Sequence, residues 1–149
     1  MKRREFVALP LLALPLAAAG QENAHVSTTD PLVYAFTKGR SVYPGKVKLE
    51  LPQVAENGHS VPMTLRVESP MTRAEHVRLV FLIADKNPQR DLAVFYFGPH
   101  SGRAEVSSRI RLNGTQRVVA VAELSDGSFW SGAASVVVTL SACLEEGLI

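Results

Sequence analysis

The stretch Val61-Pro62-Met63-Thr64-Leu65-Arg66-Val67 decides the fold. Its apolar side chains recur at every second position, which is the period of a strand with one face in a core, not that of a helix. Turn signals close it on both sides, Glu56-Asn57-Gly58 before it and Ser69-Pro70 after it. The pattern repeats outward. Val47, Leu49 and Leu51 alternate with Lys46, Lys48 and Glu50, and Val77, Leu79, Phe81 and Ile83 follow His76 and Arg78 in the same way. Val106, Ser108, Ile110 and Leu112 face away from Glu105, Ser107, Arg109 and Arg111, and residues 117–124 and 135–142 complete the set. Leu92–Phe97 is a continuous apolar run, as expected of a central strand. Asn87-Pro88, Gly98-Pro99, Asn113-Gly114 and Asp126-Gly127 mark further turns. About seven short strands separated by turns predict an all-β, immunoglobulin-like antiparallel β-sandwich. The Cys…Trp…Cys pattern of antibody domains is absent, so this likeness is one of architecture.

Ahead of the strands, Asp30-Pro31 is a helix-start signal, with Asp30 as N-cap and Pro31 at the first helical position. Leu32, Val33, Tyr34 and Phe36 then predict one short amphipathic helix ending near Lys38-Gly39. Further upstream, Met1-Lys-Arg-Arg runs into the apolar stretch Phe6–Ala19, and Ala17 and Ala19 form an A-x-A cleavage signal. The paired arginines with Phe6 two residues beyond Arg4 resemble a twin-arginine leader, which exports folded cargo. Residues 1–19 are therefore expected to be a signal peptide, and the remainder to work in a periplasm-like compartment.

Composition removes several classes of function. The chain has 149 residues and one cysteine, enough for one domain with a core and too few cysteines for an internal disulfide or a CxxC motif. Lys2, Arg3, Arg4 and Glu5 account for the whole net charge of +2, so the exported part is neutral and carries no electrostatic footprint for nucleic acid. After the leader, no run approaches the roughly 20 apolar residues of a membrane span.

Catalytic templates fail as well. His25, His59, His76 and His100 each lack a second ligand at helical or strand spacing, so no metal is expected. There is no GxSxG, Walker or Rossmann glycine pattern, and no cofactor is expected. Asn113-Gly114-Thr115 matches a glycosylation sequon but reads more simply as a turn. Phe129 with Trp130, and Phe95-Tyr96-Phe97, suit either a binding surface or core packing. That leaves Cys143, just beyond the last strand. By alternation it shares a face with Val137, Thr139 and Ser141, opposite Val136, Val138, Leu140 and Ala142. A thiol there is either a covalent attachment point or incidental.

Leu51-Pro-Gln-Val-Ala-Glu-Asn-Gly58, Val61-Pro62 and Val67-Glu-Ser-Pro-Met71 resemble the core of the SoxY family, the sulfur carriers of thiosulfate oxidation. So do Asn87-Pro88, Ala93–Phe97 with Pro99, and above all Val106-Ser-Ser-Arg-Ile-Arg-Leu112 continuing through Thr115-Gln116 and Val119–Ala122 to Asp126-Gly127. The resemblance covers most of residues 45–143. It implies a non-enzymatic carrier that pairs with SoxZ, a second small sandwich. Such a carrier holds thiosulfate-derived sulfur on a cysteine of a C-terminal arm, while haem, manganese and molybdenum enzymes load, hydrolyse and oxidise the conjugate. Carried onto this sequence, the attachment site is Cys143. The expected organisation is then a leader (1–19), a junction with the short helix (20–44), a SoxY-like sandwich (45–140) and a cysteine-bearing tail (141–149).

One departure stands out. The family ends Gly-Gly-Cys-Gly-Gly, whereas this chain has Ser141-Ala142-Cys143-Leu144-Glu145-Glu146-Gly147-Leu148-Ile149. The acids beside the thiol disfavour the thiolate and repel anionic thiosulfate, and Leu144, Leu148 and Ile149 suit an apolar surface better than a free arm. The alternative expectation is therefore a non-carrier interaction subunit of a Sox-type complex, whose tail does no covalent chemistry.

Overall fold

The computed structural model describes residues 26–140; the expected leader and the tail bearing Cys143 lie outside the described residues. Within them the chain forms a helix, α1 (Pro31–Thr37), and nine strands: β1 (Val42–Pro44), β2 (Val47–Glu50), β3 (Val54–Asn57), β4 (Val61–Val67), β5 (Val77–Ala84), β6 (Asp91–Tyr96), β7 (Ala104–Ile110), β8 (Gln116–Leu124) and β9 (Phe129–Leu140). A large sheet in the order β1-β9-β8-β5-β6, with β3 also on β9, faces a small sheet in the order β2-β4-β7. This is the expected β-sandwich, with two strands added. Both additions run parallel to β9, whereas the other pairings are antiparallel. They are three and four residues long, too short for alternation to register, and β3 includes the Glu56-Asn57 that reads as a turn.

The alternation of β4 is realised as expected. Val61, Met63, Leu65 and Val67 all enter the core between the sheets, joined by Val47 and Leu49 of β2 and Ile110 at the end of β7. Each such side chain, fully buried, contributes roughly 1.5–3 kcal/mol before entropy is counted. The opposite face of the small sheet is solvated, with Arg66 bridging Glu50 and Glu105 across three strands.

The large sheet is buried on both faces. Val118, Ala120, Ala122 and Leu124 of β8 meet the small sheet, while Val119 and Val121 form a second core with Val26, Val33, Ile83 and Phe129. Helix α1 closes that second core: Phe36 packs on Phe81 at 5.1 Å and edge-on to Phe129 at 5.6 Å. The helix starts as its sequence dictates. The Asp30 carboxylate accepts from the Leu32 amide, Pro31 opens the first turn, and Lys38 ends the helix in the left-handed conformation. Asp30 also pairs with Arg90, which ties the helix to the connection between β5 and β6.

Two expectations change. Leu92–Phe97 is not a central strand: among the described residues β6 is the outer strand of the large sheet, paired with β5 alone, and Tyr96 is 78% exposed. The central positions belong to β8 and β5. In β5 the simple alternation also breaks, because the register with β8 shifts between Val77 and Leu79. This bulge puts Val77, Val80, Leu82 and Ala84 on the inter-sheet face, and Phe81 and Ile83 under the helix.

Candidate functional site

The cysteine-bearing tail leaves from β9, so the site is built from that strand outward. From Phe129 to Val136, β9 pairs with β8 along its full length. Beyond Val136, β8 has ended, and β3 alone continues the pairing, with Val54 opposite Val137, Ala55 opposite Val138 and Asn57 opposite Leu140. A row of hydrogen bonds fixes this projecting part. The Val137 amide donates to the Gln53 carbonyl at 3.0 Å, the Thr139 hydroxyl to the Glu56 carbonyl at 2.9 Å, and the Gly58 amide to the Leu140 carbonyl at 2.8 Å. On the other side the Thr115 hydroxyl accepts from the Val138 amide at 2.9 Å.

The end of the sandwich around this exit is tied together by Gln116, which is only 4% exposed. Its amide group donates to Asn87 Oδ1, Asn113 Oδ1 and the Gly114 carbonyl, and its Oε1 accepts from the Lys86 amide. Asn87 in turn donates to the Arg111 carbonyl at 2.8 Å. The Leu112 amide donates to the Gly58 carbonyl. A buried amide satisfied on all sides makes this end a stiff base, since breaking any one bond strands a desolvated group. Arg109 donates to the carbonyl and hydroxyl of Ser60 beside it.

Cys143 itself lies outside the described residues. It is three residues past Leu140 in the sequence. The expected faces hold as far as the strand is described: Val136 and Val138 enter the core, and Val137 and Thr139 face solvent. Leu140 departs from them, being 66% exposed where the strand leaves the body.

The other candidates sort into packing. Phe129 is buried under the helix, with the Arg40 guanidinium 4.9 Å above its ring. Trp130 points to the opposite side of the sheet, where Tyr43 and the Lys46 ammonium cover its ring and its Nε1 donates to the Ser128 hydroxyl. Phe95 and Phe97 pack on the inter-sheet core, leaving only Tyr96 outward. His25 lies outside the described residues. His76 is held by the Thr72 carbonyl at its Nδ1, and the His59 amide by Asn57 Oδ1. Among the described residues, no group of three or more His, Cys, Asp or Glu side chains could hold a metal ion. No helix among them is long and apolar enough to cross a membrane.

Among the described residues three carboxylates are perturbed, and all serve structure: the hydrogen bond and charge of Lys48, with the Arg66 charge, hold exposed Glu50 below its usual value. Burial alone would raise the Asp30 pKa, but the Arg90 hydrogen bond, the Leu32 amide and the Arg90 charge together hold it below the usual value. The Ser128 hydroxyl and amide hold Asp126 low in the turn between β8 and β9. The feature that sequence reasoning missed is the β3 clamp on the end of β9. Its one readable signal was the pair Val54-Ala55 just ahead of the Asn57-Gly58 turn.

Comparison with known proteins gives a consistent picture. The family model described as sulfur oxidation protein SoxY matches residues 34–143, a span that ends on Cys143. Among solved structures, the sulfur carrier protein SoxY from Chlorobium limicola f thiosulfatophilum superposes with a TM-score of 0.60 at 25% identity, over 76% of this chain and 98% of that one. Superoxide reductase (neelaredoxin) from Ignicoccus hospitalis gives 0.57 at 15% identity, over 65% and 94%. Superoxide reductase from Nanoarchaeum equitans gives 0.54 at 14%, over 64% and 99%. These last two likenesses concern the fold alone. Comparison with curated proteins gives no match.

Proposed function

The chain belongs to the SoxY family of sulfur oxidation proteins, and on that premise we propose that it is a periplasmic sulfur carrier that holds thiosulfate-derived sulfur on Cys143. The observation that carries this reading is that the family match runs to residue 143 and stops on the chain's one cysteine. The anchored end of β9 adds to it. That end lies three residues before the thiol in the sequence and is held by a row of hydrogen bonds.

Loading joins Cys143 Sγ to the outer sulfur of thiosulfate. The thiol and the thiosulfate dianion together give a cysteinyl S-thiosulfonate, one proton and two electrons. A haem enzyme of the Sox system takes the electrons. The bond formed is of the disulfide class, stable in transit yet open to exchange. The carrier needs no cofactor of its own, and a SoxZ-like subunit is its partner. Export follows from the leader.

The test is the intact mass of the exported protein, purified without reductant after exposure to thiosulfate and the complete set of Sox enzymes. A reducible sulfur adduct on Cys143 is expected, absent in Cys143→Ser, with Tm unchanged between the two. An unmodified thiol throughout overturns the carrier reading. The second reading, an interaction subunit without covalent chemistry, is favoured by one observation, the replacement of the family's glycines after the cysteine by Leu144-Glu145-Glu146. Cys143→Ser that retains full thiosulfate oxidation would establish it.

A further inference from the structure

Three asparagines lie among the described residues, and two of them precede glycine: Asn57-Gly58 at the end of β3 and Asn113-Gly114 ahead of β8. The third, Asn87, precedes Pro88, which has no amide N–H to give up. An asparagine before glycine is open to attack by the next backbone nitrogen on its side-chain amide carbon. Glycine has no Cβ to block that approach and leaves the backbone free to bend into it. Whether the attack occurs depends on what holds the two groups, and the two sites are held in opposite ways.

At Asn113 the side chain is locked. Its Nδ2 donates to the Lys86 carbonyl at 3.0 Å, its Oδ1 accepts from Gln116 Nε2 at 3.1 Å, and its backbone amide donates to Asn87 Oδ1 at 3.0 Å. Turning its side-chain carbon toward Gly114 breaks into the buried Gln116 network and strands desolvated groups. Asn57 is exposed, and its Oδ1 accepts from the His59 amide at 2.7 Å. That bond favours the reaction. It folds the side chain back across the intervening Gly58 nitrogen, and it polarises the carbonyl in the sense that stabilises the oxyanion formed on attack. The restraint at this site acts on the nucleophile instead: the Gly58 amide donates to the Leu140 carbonyl at 2.8 Å, at the outer end of the β3 clamp.

We propose that Asn57 is a site of spontaneous deamidation whose rate is set by the clamp between β3 and β9. When the end of β9 opens, hydroxide takes the freed Gly58 amide proton and the nitrogen bonds to Asn57 Cγ. The Cγ–Nδ2 bond then breaks and ammonia leaves. The cyclic imide takes up water and opens to aspartate or to isoaspartate, so water enters, ammonia departs and no electrons change hands. Isoaspartate routes the main chain through the former side chain and adds a backbone carbon, so Gly58 no longer aligns with Leu140 and the clamp stays open. The inter-sheet core is left intact; the anchor at the end of β9 is what an aged chain loses. None of this depends on what Cys143 does.

The experiment incubates the reduced chain at mildly alkaline pH and follows the gain of about 1 Da at each asparagine by peptide mass mapping. Each rate is expressed relative to the rate at the same site in denaturant, which cancels the intrinsic reactivity of the pair. In the folded chain Asn57 should react about ten-fold faster than Asn113 or more, since opening at Asn113 breaks several bonds. Thr139→Val removes the neighbouring clamp bond to the Glu56 carbonyl. It should speed Asn57 about five-fold, the factor that one net hydrogen bond sets on a local opening equilibrium, and leave Asn113 unchanged. Amide exchange at Val137 should be faster in the isoaspartate fraction than in unreacted chain, with exchange at Val119 the same in both. Asn113 reacting as fast as Asn57 in the folded chain overturns the proposal, and so does an Asn57 rate indifferent to Thr139→Val. Equal exchange at Val137 in the two fractions overturns the effect on the clamp.

Discussion

The two halves of β9 have the same local geometry and opposite surroundings. From Phe129 to Val136 the strand lies inside the large sheet, with β8 on one side, and covered by the helix on one face and by the small sheet on the other. From Val137 to Leu140 it projects past β8, is paired only with β3, and exposes about half of Val137 and two thirds of Leu140. Gly132 marks the extreme of the first half: a Cβ built there would sit 2.2 Å from the Val47 carbonyl oxygen. The inner half is fixed by what presses on it from both faces, and the outer half by hydrogen bonds along its edges. The first device gives stability, and the second gives position at low apolar burial.

The sharpest way to break this contrast is to load both halves. Gly132→Ala should cost about 3 kcal/mol or more, because the atom met is backbone and β2 must move off the large sheet. Val137→Ala should stay within about 0.5 kcal/mol. Thermal unfolding of the two variants measures the difference, and equal losses would abolish the distinction.

Next in size is the helix over the inner half. Asp30→Ala should cost about 1 kcal/mol through the lost cap. The Asp30 carboxyl has a lowered pKa in the folded chain, so its contribution is complete above the unfolded value of about 3.9 and fades as pH falls through the folded one. The Tm gap between wild type and Asp30→Ala should therefore be constant from neutral pH to about 5 and narrow below 4.

The smallest global effect belongs to the outer half. Thr115→Val keeps the shape but removes the hydroxyl that holds the Val138 amide, at a cost of about 1 kcal/mol or less. Its informative readout is local: hydrogen exchange at Val137 and Val138 should accelerate while that at Val119 and Val121 does not.

The same contrast explains what the sequence made legible. The inter-sheet core could be read because β4 and β2 alternate without interruption and have one face in water. The turns at Asn113-Gly114 and Asp126-Gly127 and the cap at Asp30 were also legible, since each follows from the conformational preferences of one or two residues. What stayed hidden depends on partners distant in sequence. An apolar run such as Leu92–Phe97 looks alike at the edge and at the centre of a sheet, and Tyr96 lies outward because Phe95 and Phe97 on either side of it take the core face. The bulge in β5 is set by its register with β8. The inner half of β9 was missed because Ser131, Gly132, Ala133 and Ala134 have little hydrophobic contrast, although the close approach of Val47 demands residues that small. At the candidate site, the clamp that anchors the end of β9 was not readable, because its partner Val54–Asn57 is distant in sequence.

The bond from Thr139 to Glu56 joins residues 83 positions apart. Contacts that close so long a loop bring their reward late in folding, after the entropy of closure has been met. The clasp of β3 on β9 is accordingly among the last contacts to form, and it requires both ends of the sandwich sequence to have found their sheet. A chain whose β9 is clasped by β3 has therefore already completed its sandwich, so the clasp reports on the whole fold rather than on its own surroundings.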